Sequence, residues 1–209
     1  MLKVAIVDYG MGNLDSVARA VEECGGKAFI TSQSQDLETA THIILPGVGA
    51  FPAGMRNIRA RGLDRILSEQ VLAKRIPCLG ICLGMQLLAT RGYEVEETEG
   101  LGWIPGEVRR LQPQGPDDRI PHVGWNAVTP QRPSPLFREI PVGKDFYFVH
   151  SYRFACADPQ DELATTPYCG GFTSAVARGN ILGVQFHPEK SQRAGLQLLR
   201  NFLDPNAPC

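Results

Sequence analysis

The chain has 209 residues, 43% of them hydrophobic and 21% charged, with 21 Lys plus Arg set against 22 Asp plus Glu. A chain of this size buries roughly 70% of the surface its unfolded form exposes, so it needs no disulfide or metal staple, and one domain over residues 1–209 is the expectation. Balanced charge without a Lys/Arg-rich run excludes a dedicated nucleic-acid surface, and no apolar run approaches the ~20 residues that span a bilayer.

Leu2 to Val7 is a nearly continuous apolar run, the pattern of a strand buried on both faces and not of a signal peptide. Without an export signal, the six Cys are expected to be reduced thiols in the cytoplasm. Gly10-Met11-Gly12 turns the chain after that strand. A dinucleotide fingerprint is not completed there. Asp15 holds the third glycine position, and the next strand ends in Thr31-Ser32 without an acid.

Leu14, Val17, Ala18, Val21 and Cys24 fall at helical spacing, and Gly25-Gly26 stops the helix. Lys27–Thr31 and His42–Leu45 read as strands, the second ended by Pro46-Gly47. Residues 55–75 read as mostly helical with a break at Gly62. Pro77–Ile81 reads as a fourth strand, and Met85 begins another helix. Strands alternating with helices imply parallel strands joined by right-handed crossovers. The expected fold is therefore an α/β open, mostly parallel sheet with flanking helices.

The second half changes character. β-type segments near 107–111, 146–149, 152–155, 173–177 and 181–185 are punctuated by Pro and Gly, which suggests antiparallel additions. Gln112 to Pro121 reads as a loop. A last helix near 191–203 carries Leu196, Leu199 and Phe202 or Leu203 on one face.

The chemistry is concentrated at Cys82. Gly80-Ile81-Cys82-Leu83-Gly84 lies where an apolar strand meets a helix, the form of a nucleophile elbow with Cys in place of Ser. The sharp turn lifts the side chain above the sheet. Residues two before and two after crowd together, so glycines there remove Cβ atoms that would clash. Free N–H groups of the following helix favour a thiolate and an oxyanion. A lone Cys is more often a small buried hydrophobe, which suits Cys24, Cys78, Cys156 and Cys169 but not a Cys flanked by two glycines. Cys78 and Cys82 lack a nearby second Cys/His pair, so no metal site is expected.

A free thiol is only a few per cent thiolate at neutral pH, so a base is needed. Of the four His, His187 directly follows an apolar strand, and strand ends carry the sites of open α/β sheets. Glu189, two residues on, can orient its imidazole. His42 and His122 fit structural roles.

Gly80-Ile81-Cys82-Leu83-Gly84-Met85-Gln86 together with Phe186-His187-Pro188-Glu189 resembles the class I (triad) glutamine amidotransferases over nearly the whole chain. Further segments are similar to the glutaminase subunits of imidazole glycerol phosphate synthases. They are Asp8-Tyr9-Gly10-Met11-Gly12-Asn13-Leu14, Pro46-Gly47-Val48-Gly49-Ala50-Phe51, His122-Val123-Gly124-Trp125-Asn126, Phe148-Val149-His150-Ser151-Tyr152 and His187-Pro188-Glu189-Lys190-Ser191.

The resemblance implies a Cys82–His187–Glu189 triad that hydrolyses glutamine without a cofactor. It implies an oxyanion hole from the N–H of Leu83 and one in the Val48-Gly49 segment. Glutamine would be bound by Gln86, Glu94 and the backbone of Ser151 and Tyr152, with Glu94 either pairing the substrate ammonium or standing as an ordinary surface acid. It implies a separate (β/α)8-barrel cyclase subunit that receives ammonia, met near Asn13, Trp125 and Lys190, the last equally readable as a solvated charge. The glycine-rich 46–49 loop suggests an oxyanion hole completed only when partner and ligand bind. The alternatives are the glutaminase subunit of an anthranilate or aminodeoxychorismate synthase, an elbow-Cys α/β protein outside the family, and an inactive interaction subunit.

Overall fold

The computed structural model describes residues 2–204. Its elements are β1 Lys3–Val7, α1 Leu14–Glu23, β2 Lys27–Thr31, α2 Ser34–Leu37, β3 His42–Gly47, α3 Phe51–Ala60, α4 Leu63–Ser68, β4 Cys78–Cys82 and α5 Leu83–Leu87. They continue as β5 Arg91–Gly92, β6 Thr98–Glu99, β7 Gly106–Arg110, β8 His122–Pro130, β9 Lys144–His150, β10 Tyr152–Cys156, β11 Glu162–Thr166, β12 Phe172–Arg178, β13 Ile181–Val184 and α6 Gln192–Leu203.

One sheet runs in the order β2-β1-β3-β4-β13-β12-β10-β7-β5-β6, with β11, β8 and β9 branching from β12. The segment β2-β1-β3-β4-β13 is parallel throughout. From β13 onward the pairing is antiparallel through β12, β10 and β7. This is the α/β open sheet with antiparallel additions that the sequence leads one to expect.

The reason lies in the side-chain alternation of the central strands. Val4 and Ile6 point into one apolar layer with Val17 and Val21 of α1 and Leu198 and Leu199 of α6. Ala5 and Val7 point into the opposite layer with Met55 and Ile58 of α3 and Leu83 and Leu87 of α5. Helices cover both faces, so β1 is buried at every position but its first. Each such Val or Ile contributes about 1.5–3 kcal/mol by leaving water.

Several expected boundaries move. β3 continues through Pro46 and Gly47, because β4 runs on beside it and pairs Pro46 with Ile81 and Gly47 with Cys82. The helix after β4 starts at Leu83, not Met85, leaving no linker between strand and helix. The helical stretch of residues 55–75 begins earlier, at Phe51. It breaks at Gly62 (φ +65°), where a side chain would be strained, and ends in a π-helical turn, Glu69–Ala73. On α6 the buried face is Leu198, Leu199, Phe202 and Leu203, while Leu196 is half-buried. β8 and β11 are strands the sequence does not announce. The apolar pattern of β8 is broken by Gly124 and polar Asn126, and its partners lie far along the chain. Gln112–Pro121 is loop, as expected.

Candidate active site

The five parallel strands end on one side of the sheet, and the candidate residues gather there. Cys82 is the last residue of β4 and sits at φ 54°, ψ −109°, a conformation that non-glycine residues rarely adopt. Two glycines make this elbow possible. A Cβ on Gly80 would stand 2.7 Å from the Gly84 carbonyl oxygen and the Met85 nitrogen. A Cβ on Gly84 would overlap the Leu45 carbonyl of β3, so α5 packs against the sheet backbone with no side chain between.

Cys82 as a residue is 6% exposed, and its sulfur has two polar neighbours. It lies 3.8 Å from the Val149 carbonyl oxygen and accepts from Gln185 Nε2 at 3.6 Å. β13 delivers His187 three residues past its end. There Ser191 clamps the corner. Its hydroxyl donates to the His187 carbonyl at 2.6 Å and accepts the Tyr147 N–H at 3.0 Å. His187 Nδ1 and Glu189 Oε1 are 2.8 Å apart, with both side chains 2% exposed or less. A carboxylate oxygen accepts, so Nδ1 carries the hydrogen of this pair and Nε2 faces the sulfur side.

Burial on its own would lower the pKa of His187, but hydrogen bonding and charge from Cys82 and Glu189 outweigh it and raise the value to about 10. His187 Nε2 makes no hydrogen bond of ordinary length and is turned toward the Cys82 side, and Glu189 Oε2 is buried without a partner. A ring nitrogen facing a nucleophile is where a proton would be taken or returned.

A cavity of about 450 Å³ opens beside Cys82, lined by Val48, Gly49, Ala50, Leu83, Gln86, Glu94, Val149, His150, Ser151 and Tyr152. The structure thus brings the oxyanion candidates and the glutamine-binding candidates to one cleft. Glu94 is half-buried at the cleft, and its Oε2 accepts the Phe51 N–H at the start of α3 at 2.8 Å. Gln86 Nε2 donates to the Tyr152 carbonyl and to Gln185 Oε1. Leu83 opens α5, so its N–H has no place in the helical ladder. Gly49 has φ +115° and, like Val48, stands exposed at the rim.

Of the remaining candidates, Asn13 is exposed at the start of α1. Trp125 is 48% exposed with its ring 6.0 Å from that of Tyr147, and the Lys190 ammonium lies 5.9 Å from the same Tyr147 ring. Val123 and Val149 face each other across β8 and β9 and are also exposed, so an apolar rim borders the cleft. His42 is a buried structural ring packed edge-on against Phe202.

Three groups at the site escape a reading of the sequence. Gln185 is wholly buried and touches the sulfur; its one signal is a polar residue at the end of an apolar run. His150 lines the cleft, hydrogen-bonded to His122. Tyr9 is wholly buried, its hydroxyl unpartnered against Gly47. Burial, and after it Cys82, push that phenol well above its ordinary pKa.

Comparison with known proteins agrees with this geometry. The family model described as glutamine amidotransferase class-I matches residues 5–205. The chain is 47% identical to imidazole glycerol phosphate synthase subunit HisH 2 of Nitrobacter winogradskyi, with 99% of this chain and 100% of that protein aligned. It is 46% identical to the HisH 2 subunit of Pseudomonas aeruginosa over 96% and 98% of the two chains. Among solved structures, PurLQS from Thermotoga maritima superposes with a TM-score of 0.75 over 97% of each chain at 17% identity, a likeness of fold alone. A conserved fold, a strained Cys elbow and near-full-length relatedness lead to one assignment: the chain belongs to the glutamine amidotransferase class-I family.

Proposed function

We propose that this chain is the glutaminase subunit of an imidazole glycerol phosphate synthase, hydrolysing glutamine and passing ammonia to a separate barrel subunit that builds a histidine precursor. The observation that carries it is the convergence of Cys82, Gln185 and the buried His187–Glu189 pair with Gln86, Glu94, Ser151 and Tyr152 on one cleft. The near-full-length likeness to HisH subunits supports this partner over an anthranilate or aminodeoxychorismate synthase.

The steps follow from the residues. His187 takes the Cys82 thiol proton, and the sulfur attacks the side-chain amide carbon of glutamine. The negative oxygen that forms is met by the Leu83 N–H and by one from Val48 or Gly49, each donor worth ~3 kcal/mol of barrier. The C–N bond breaks, His187 returns the proton, and ammonia leaves. Water, deprotonated by the same ring, then cleaves the thioester to glutamate. Glu189 holds the ring. No cofactor takes part. The chemistry needs a reduced thiol, which fits the cytoplasm.

Partner docking is supported by exposed apolar side chains: Val48 and Val149 line the cleft, Val123 pairs with Val149 across the strands, and Trp125 follows two residues on along β8, each 36–57% exposed. Asn13 and Lys190 are exposed as well. We read residues 1–209 as one glutaminase domain, consistent with the span of the family match.

The test is Cys82→Ala in the co-purified two-chain complex. Glutamine-dependent ring closure should vanish while closure from added ammonium salt persists. Survival of the glutamine-dependent reaction would overturn the assignment.

A further inference from the structure

Behind the cleft lies a set of polar groups, two buried histidines and a half-buried asparagine, that the hydrolytic steps do not use. Asn126 Nδ2 is 3.3 Å from His122 Nε2. His122 Nδ1 is 3.0 Å from His150 Nε2. His150 Nδ1 is 2.8 Å from the Tyr152 carbonyl oxygen. The two imidazoles are 3% and 6% exposed. Phe148 and Tyr168 stack on the His122 ring, with centroids 4.9 and 4.0 Å away.

Only one arrangement of hydrogens satisfies every member. A carbonyl oxygen accepts and never donates, so His150 Nδ1 carries its hydrogen. Burial pushes the pKa of His150 down to about 3 and that of His122 down to about 4, so both rings are neutral. His150 Nε2 is therefore bare and accepts from His122 Nδ1–H. His122 Nε2 is bare in turn and accepts from the Asn126 amide. Asn126 cannot turn over, because its Oδ1 accepts the Ala127 N–H at 2.9 Å. The bonds all run one way, from β8 through β9 into the Tyr152 carbonyl, and bonds aligned in this way polarise one another.

The end point matters. The Tyr152 carbonyl also accepts from Gln86 of α5, so the same peptide is held from the elbow helix and from the histidine pair. Ser151 and Tyr152 line the cleft beside Cys82. We propose that Asn126, His122 and His150 form a positioning relay that sets the Ser151–Tyr152 backbone for the amino-acid end of the substrate, leaving the Cys82–His187–Glu189 chemistry untouched. The proposal rests on the glutaminase function and deepens it: the relay governs substrate affinity, not turnover.

The experiment compares two variants in the two-chain complex. His122→Phe keeps the stacked ring and removes both bonds. His122→Asn sets an amide N–H2 near the lost Nδ1–H. His122→Phe should raise the KM for glutamine about tenfold, the worth of one buried neutral hydrogen bond, with kcat within about twofold. His122→Asn should recover most of that affinity. Equal KM values in the two variants, or a fall in kcat at unchanged KM, would overturn the relay.

Nitrogen-15 NMR of the wild-type rings gives an answer that does not depend on either variant folding. Both histidines should be Nδ1–H with bare Nε2, and Nε2–H on either ring sinks the proposal. Wild-type complex that releases no glutamate from glutamine would refute the glutaminase function itself, and the ring tautomers would still judge the relay.

Discussion

Glu189→Gln isolates the charge in the buried pair. The substitution keeps the shape and leaves an amide oxygen to accept from His187 Nδ1, now 2.8 Å from the carboxylate. It removes one of the groups that raise the His187 pKa to about 10. The ring then holds its proton less tightly, and the imidazolium formed in each half-reaction loses its counter-charge in a site where both partners are 2% exposed or less. Loss of an orienting carboxylate of this kind costs about 10²–10⁴ in turnover, or roughly 3–5 kcal/mol of barrier.

The second carboxylate oxygen has no hydrogen-bond partner, so the new N–H2 stays unsatisfied as well. A further ~1–3 kcal/mol of stability should go. The assay is steady-state glutamate release by the complex, with ammonia-dependent synthesis as control. KM for glutamine should change little. The pH dependence has a definite sign. A His whose pKa is raised on folding adds stability that is complete below its ordinary value near 6.5 and drains away as the pH climbs toward about 10. Melting temperature against pH should therefore slope down across that window in the wild type and be flatter in Glu189→Gln. Turnover within threefold of wild type, or two parallel melting curves, would refute the reasoning.

Gly84→Ala drives a methyl group into the Leu45 carbonyl and displaces α5, whereas Gly115→Ala meets nothing within 4 Å. The first should lower turnover about a hundredfold through misplacement on the order of 1 Å and reduce the melting temperature, with the second as a neutral control. Kinetics and melting curves of the pair check this; a fully active, stable Gly84→Ala refutes it. Trp125→Glu buries a charge wherever a partner covers the rim. Association should weaken by about thirtyfold or more with an unchanged melting temperature of the lone chain, read by titration calorimetry.

The parallel half of the fold was legible because its strands are nearly all apolar and its helices carry a clear 3.6-residue period, as β1 and α1 show. The elbow was legible because Gly80 and Gly84 have a steric reason to flank Cys82. β8 was not, since a strand holding Gly124, Trp125 and Asn126 earns its place by pairing with β9 and β11 and not by its own pattern. The same long-range pairing hid the histidine relay. His122 looks like a lone structural histidine until β9 brings His150 within 3.0 Å. Gln185 was hidden in a similar way, by a strand whose neighbours decide that a polar residue there meets sulfur and not solvent.

The apolar rim also bears on how much of this protein a cell can make. Val48, Val123, Trp125 and Val149 remain uncovered on every copy that has no partner. Two such copies offer each other the same surface, so self-association grows with the square of the surplus. Production of the two chains in matched amounts is then a matter of solubility as much as of metabolic supply. A surplus of this chain by itself should therefore lose solubility as its concentration rises, which light scattering of the lone chain checks.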